Sequence, residues 1–253
     1  MKLVGFRTLF FRECHRFLRL ANQTIIPPVI TATLYILIFG NALGSRISFL
    51  SGVSYLDFLI PGLVMMSVIN SAYSNTSSSF YIARFQGSIQ ELLVSSMSNF
   101  EIVFAIILGG VARGLSVGIC VAATAMLFTN LVVLHLGIMF FFVIAVAFVF
   151  SCAGFISAIW ADDFDKLSLF QTYCLVPLTY LGGVFFSLEM LPPFWQGVAR
   201  VNPVLYFIDG LRFGYLGTSD VDLRSAVVLV VLLGVAMFAL CYGLFKAGYN
   251  IKT

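Results

Sequence analysis

Residues 102 to 160 form one almost unbroken apolar expanse in which only Arg113 and His135 are ionisable. A water-soluble fold has no place for such a run, whereas a bilayer demands it. At about 20 residues per crossing, it holds two long helices joined by a tight turn near Thr129–Leu136, and three would leave nothing for the turns. The rest of the chain agrees. Of its 253 residues 60% are hydrophobic and only 10% charged, where a soluble domain carries roughly a quarter charged. The expected fold is an all-α membrane protein of six transmembrane helices. An N-terminal interfacial helix, a cytoplasmic helix after the second span and short re-entrant helices before the last complete it.

The expected organisation is a single transmembrane domain over residues 1–253. Residues 1–24 set Lys2, Arg7, Arg12, Arg16 and Arg19 among Phe6, Leu9, Phe10, Phe17 and Leu18, with Glu13 the one acid. That pattern reads as a basic amphipathic helix retained at the membrane surface rather than a cleaved signal peptide. Spans one and two fall within 25–83, joined by a loop containing Gly44, Arg46 and Ser51. Spans three to five fall within 100–187, the fifth over about Leu167–Ser187, and Asp162, Asp163, Asp165 and Lys166 mark a charged loop before it. Residues 188–216 are broken by Pro192, Pro193 and Pro203 and read as extracytoplasmic broken helices, Asp209 and Arg212 being neighbours on one of them. The sixth span is 225–245. Lys and Arg in the loops divide nine (Lys2, Arg7, Arg12, Arg16, Arg19, Arg84, Lys166, Lys246, Lys252) against four (Arg46, Arg200, Arg212, Arg224). The excess predicts that both termini are cytoplasmic.

Three features invite a functional reading. Residues 84–98 are a polar island between two spans. At helical period Phe85, Ile89, Leu92, Leu93 and Met97 share one side, with Arg84, Gln86, Gln90, Glu91 and Ser95 over the rest. Such a segment either rests on lipid as a linker or docks into a partner that pushes on the flanking spans. The second span carries Asn70, Ser74, Asn75 and Ser78, which lipid disfavours and which serve either as glue between helices or as the lining of a route. Arg113 is the one charge in mid-span, on the order of 18 Å along the helix from Glu101, beside Gly110, Gly114 and Gly118. It either bonds to carbonyls exposed by close packing at those glycines or meets an anionic substrate.

Other functions are disfavoured. No Gly-x-x-x-x-Gly-Lys-Ser/Thr sequence exists to cradle a nucleotide. There is no metal-ligand cluster and no catalytic residue, so an enzyme is not expected. The net charge of +3 is too small to point to nucleic acid. No acidic side chain lies in mid-span to bind a driving ion. Cys120, Cys152, Cys174 and Cys241 fall in apolar runs and read as small hydrophobes.

The sequence Gly87-Ser-Ile-Gln-Glu-Leu-Leu93 and the run from Leu181 through Trp195, Asn202-Pro-Val-Leu-Tyr206 and Asp209-Gly-Leu-Arg212 resemble the membrane subunit of a type-2 ATP-binding-cassette exporter. The likeness extends over the whole chain. It departs at Ser95-Ser-Met-Ser98, where many such proteins carry a proline. The resemblance implies a permease in a bacterial inner membrane, surrounded by lipid and paired with a second copy of itself. Two copies of a separate ABC ATPase would bind the ATP and magnesium, this chain holding no cofactor of its own. Arg84, Phe85, Ile89, Glu91 and Leu92 would meet the ATPase. A drug, lipid or glycan would pass along Asn70, Ser74, Asn75 and Ser78, with Thr179 and Tyr180 opposite. The competing expectation is a self-contained carrier or channel, in which residues 84–98 merely rest on lipid.

Overall fold

The computed structural model describes residues 2–42, 53–129 and 133–250, and no strand forms among them. The loop holding Arg46, the start of the turn after Thr129, and Lys252 lie outside the described residues. In chain order the helices are α1 (Lys2–Arg19), the single turn α2 (Ala21–Thr24), α3 (Ile26–Ala42), α4 (Tyr55–Phe85), α5 (Ser88–Val94), α6 (Asn99–Ala125) and α7 (Leu136–Trp160). After them come α8 (Phe164–Phe170), α9 (Val176–Tyr180), α10 (Pro193–Val201), α11 (Pro203–Leu216) and α12 (Leu223–Ala247). Among the described residues five stretches are long and apolar enough to cross a membrane: Ala21–Gly40 and helices α4, α6, α7 and α12.

The expected crossing at Leu167–Ser187 takes a different form. Helix α8, a π-helical turn at Gln171–Leu175 and α9 follow one another, and the helical run stops at Tyr180. Pro177 has no N–H to return to the preceding turn, and a widened turn just before a proline accommodates that loss. The chain then reverses at Gly183, whose φ of +79° suits glycine. Val184 packs fully buried beside Gly62 of α4. Residues 181–187 are therefore a folded-back connection.

Helix α4 is the axis of the molecule. Its 31 residues exceed the roughly 20 that a bilayer needs. It is buried on every side except a narrow stripe and its last residues, with α6 on one flank and α7 on the other. The two flanks close because glycine lets them. A Cβ on Gly110 of α6 would lie 2.2 Å from Thr76 Oγ1, and one on Gly154 of α7 would lie 2.5 Å from the Tyr73 carbonyl oxygen. The Gly110–Gly114–Gly118 face does what its spacing predicts, letting another helix approach closely. Tyr73 then donates to Ser157 Oγ of α7 at 2.8 Å, so the buried hydroxyl is satisfied.

Helix α1 leans along the spans. Gly5 lies against Met97, the Phe6 ring is 6.1 Å from Phe104, and Glu13 lies against Gly109. It therefore runs parallel to α6, and its bonds to Ser79 and Asn75 make it antiparallel to α4. At the far end of the bundle, Asp209 and Arg212 form the expected pair at 3.3 Å, but buried rather than at the surface. Arg212 also donates to the Gly183 carbonyl and lies 3.7 Å above the Phe58 ring. Asp209 accepts from Ser219 Oγ and the Val221 amide. This network ties the broken helices to the start of α4.

Candidate functional site

The stripe left open on α4 holds Ser67, Asn70, Ser74 and Ser78, spaced three or four residues apart and half-buried like Met66 beside them. That spacing puts them on one face. Their polar groups are turned partly back on the helix. Asn70 Nδ2 donates to the Met66 carbonyl at 2.8 Å and Ser78 Oγ to that of Ser74 at 2.7 Å. Such bonds lower the cost of a polar face against apolar surroundings. The upper part of the stripe borders a cleft of about 330 Å³ between α3 and α4, where Ser67 and Asn70 face Pro27, Thr31 and Tyr35. Tyr180, exposed at the end of α9, shares a 3.0 Å hydrogen bond with Tyr35 and stacks on Phe185.

Two of the residues expected on a route face inward. Thr179 is buried, its hydroxyl donating to the Val176 carbonyl. Asn75 is buried on the flank towards α1, where its side-chain oxygen and its carbonyl accept from Arg16 at 3.0 and 2.9 Å. The network around Asn75 was not legible in the sequence. Glu13, 1% exposed, accepts from Ser79 Oγ at 2.5 Å and pairs with Arg12 at 3.2 Å and Arg16 at 3.5 Å. An acid amid arginines in an amphipathic helix looks like a surface residue. Only the α4 partners, about 60 residues away in sequence, mark it as a buried anchor. Burial pulls the Arg16 guanidinium below its ordinary pKa, and Glu13 offsets part of that. Arg113 makes no hydrogen bond or ion pair among the described residues, its Nε is buried without a partner, and it feels the like charge of Arg16. The carbonyls beside the glycine face are not its partners.

The polar island divides sharply. Arg84 and Phe85 belong to the end of α4, and only Ser88–Val94 is a separate helix, entered through Gly87 at φ +74°. Ile89 is buried and Leu92 and Met97 half-buried, all three in the apolar cluster of the lower bundle that includes Leu9 and Phe6 of α1. Phe85 at 81% and Val94 at 88% are exposed, as are Glu91 and Leu93. Arg84 reaches across to the end of α7, donating to the carbonyls of Ile159 at 2.7 Å, Ala161, and Asn250 at 3.3 Å. A helix C-terminus has such unpaired carbonyls and a partial negative charge. Asp162 completes the corner. Its hydrogen bonds from Lys166 at 2.8 Å and Asn250 at 3.0 Å hold its carboxyl below the usual aspartate range, and it raises Lys166 in turn. The α5 end thus presents a short helix, anchored on its inner side and bare outside, beside a tied corner of α4, α7 and the chain end. Among the described residues no three His, Cys, Asp or Glu side chains are grouped to hold a metal ion.

Residues 4–216 match the sequence pattern of the ABC-2 type transporter family. The chain belongs to that family. It is 45% identical over 250 residues to the inner membrane transport permease YadH of Escherichia coli (strain K12), covering 99% of this chain and 98% of that one. Nodulation protein J of Rhizobium meliloti (strain 1021) is 25% identical over 231 residues, covering 90% and 87%. Nodulation protein J of Neorhizobium galegae is 25% identical over 224 residues. A transport permease of the ABC-2 type, embedded in the membrane through several apolar helices, is therefore what this architecture serves. In such a permease the half-open polar stripe of α4 and the bare outer face of α5 are two surfaces that the packing of the described residues leaves uncovered.

Proposed function

We propose that the chain is the membrane subunit of an ATP-driven exporter, powered by a separate ABC ATPase that bears on α5. The observation that carries this reading is the split of the 84–98 segment. Ile89 and Leu92 lock α5 to the bundle, while Glu91, Leu93 and Val94 stand exposed outside it, next to Phe85 at the end of α4, whose exposed ring stacks on Tyr81. A linker resting on lipid would turn its apolar residues to one side, whereas these are split between inside and outside. A rigidly seated helix with a bare outer face transmits force; a loosely held one would absorb it. Two permease copies and two ATPase copies make up the assembly. The positive excess on the α1 and α5 side supports a cytoplasmic position for that end and for both termini. The cargo, from the drug, lipid or glycan classes, moves along the Ser67–Asn70–Ser74–Ser78 stripe, with Tyr180 near its upper end. Asn75 and Thr179 support that path from behind, and Arg113 projects beside it.

The test is to purify the tagged permease with its ATPase. The expected result is an ABC ATPase in equal stoichiometry that Glu91→Lys combined with Val94→Asp releases, while membrane insertion is unchanged. Transport in vesicles without nucleotide, or full retention of the ATPase by the double variant, contradicts the proposal.

A further inference from the structure

Between α1 and the α4–α5 corner lies a cavity of about 520 Å³, bordered by Arg12, His15, Arg16 and Arg19 and floored by Gln86 and Ser88. Its charge is strongly one-sided. Glu13 is the only acid lining it, and that carboxylate is already held by Ser79, Arg12 and Arg16. Arg19 and His15 have no hydrogen bond or ion pair among the described residues, and Arg113 adds a further guanidinium close enough to repel Arg16. Gathering like charges is unfavourable unless an anion joins them. Guanidinium groups match phosphate by their fork of donors.

The surface next to the cavity adds a second property. Val4, Phe11 and Leu18 recur every seventh residue of α1 and are exposed at 68%, 59% and 54%. On a helical wheel this apolar stripe adjoins His15, Arg19 and Arg12 directly. An ion cavity beside a ready-made apolar ledge fits a molecule with an anionic head and a greasy tail.

We propose that this cavity is a binding site for the phosphate-bearing head of an anionic amphiphile, its chain lying along Val4, Phe11 and Leu18. The head sits where α1, α4 and α5 meet, so occupancy braces α1 against α5. The inference uses the permease reading only to supply a membrane around the site; binding itself requires neither ATPase nor transport.

The experiment measures the thermal midpoint of the full-length protein in neutral detergent, with short-chain phosphatidylglycerol, short-chain phosphatidylcholine or inorganic phosphate added. Phosphatidylglycerol is expected to raise the midpoint where phosphatidylcholine does not. Arg19→Gln with His15→Gln, both at exposed positions without partners, should weaken the half-saturating concentration at least several-fold. Arg200→Gln, an exposed arginine of α10 outside the cavity lining, should leave it unchanged. Stabilisation by phosphatidylglycerol alone identifies a lipid head group as the source. Equal stabilisation by inorganic phosphate, lost in the same double variant, identifies free phosphate. Equal effects of both lipids without phosphate, or a phosphatidylglycerol effect that the double variant retains, overturns the site. Because none of these readouts involves ATP, such a failure leaves the permease assignment intact.

Discussion

Arg212 and Arg84 show how the same side chain acts differently in two settings. Arg212 is 2% exposed, paired with a fully buried Asp209 and stacked on Phe58. Removing one member of a buried pair leaves the other charge uncompensated and costs about 3–5 kcal/mol. We expect Arg212→Ala to lower the folded yield and thermal midpoint severely. Arg212→Met combined with Asp209→Leu should recover part of the loss, because both charges then leave together. An additive double-variant effect in thermal unfolding would contradict the pairing. Arg84 is half-buried and bonded to carbonyls at the end of α7. Its removal forfeits charge-assisted bonds worth about 1.5–3 kcal/mol. For Arg84→Ala we expect a smaller fall in midpoint, with faster hydrogen exchange confined to the α7 end and residues 248–250. Charge reversal at Arg84 is thus a poor probe of partner docking, since it first unties the permease's own corner.

At the scale of elements, α4 is held by the close approach of α6 and α7. Gly110→Leu would drive a side chain into Thr76, Ser151 and the Ala72 carbonyl, which surround that position within 3.0 Å. Overpacking of this kind costs about 1–3 kcal/mol. The expected result is a lowered midpoint, relieved in part by Thr76→Ala; a neutral Gly110→Leu would show that α4 and α6 are loosely joined. The spans were legible because the lipid requirement acts residue by residue, and the glycine repeat beside Arg113 announced a close approach. The stretch after Lys166 was not, because Leu167–Ser187 carries no charge and gives no sign that its last residues fold back on Gly62. The island at 84–98 was legible as amphipathic but not in its division, since Ile89 and Val94 are alike in hydropathy and differ only in what α1 covers. The burial of Glu13 and Arg16 is hidden in the amphipathic pattern of residues 1–24 for the same reason. Their meaning lies in Ser79 and Asn75 on another helix.

In the whole molecule, two ends are fixed and one flank is open. The buried Arg212 network ties the broken helices to the start of α4, and the Arg84 corner ties the opposite end to α7. The helix between them therefore moves as a body with whatever is attached to its ends. Helix α5 is attached there by a single glycine turn and by Ile89 packed beneath α1. A push on its outer face is delivered to α4, and so to the polar stripe that we propose lines the path of the cargo. The central claim is that this outer face belongs to a partner's ATPase. Hydrogen exchange on the purified permease, alone and with its ATPase trapped by ATP and vanadate, tests it most directly. The account predicts slowed exchange in the complex at residues 85–95, with α10 and α11 unchanged. Equal exchange at 85–95 in both states would contradict it.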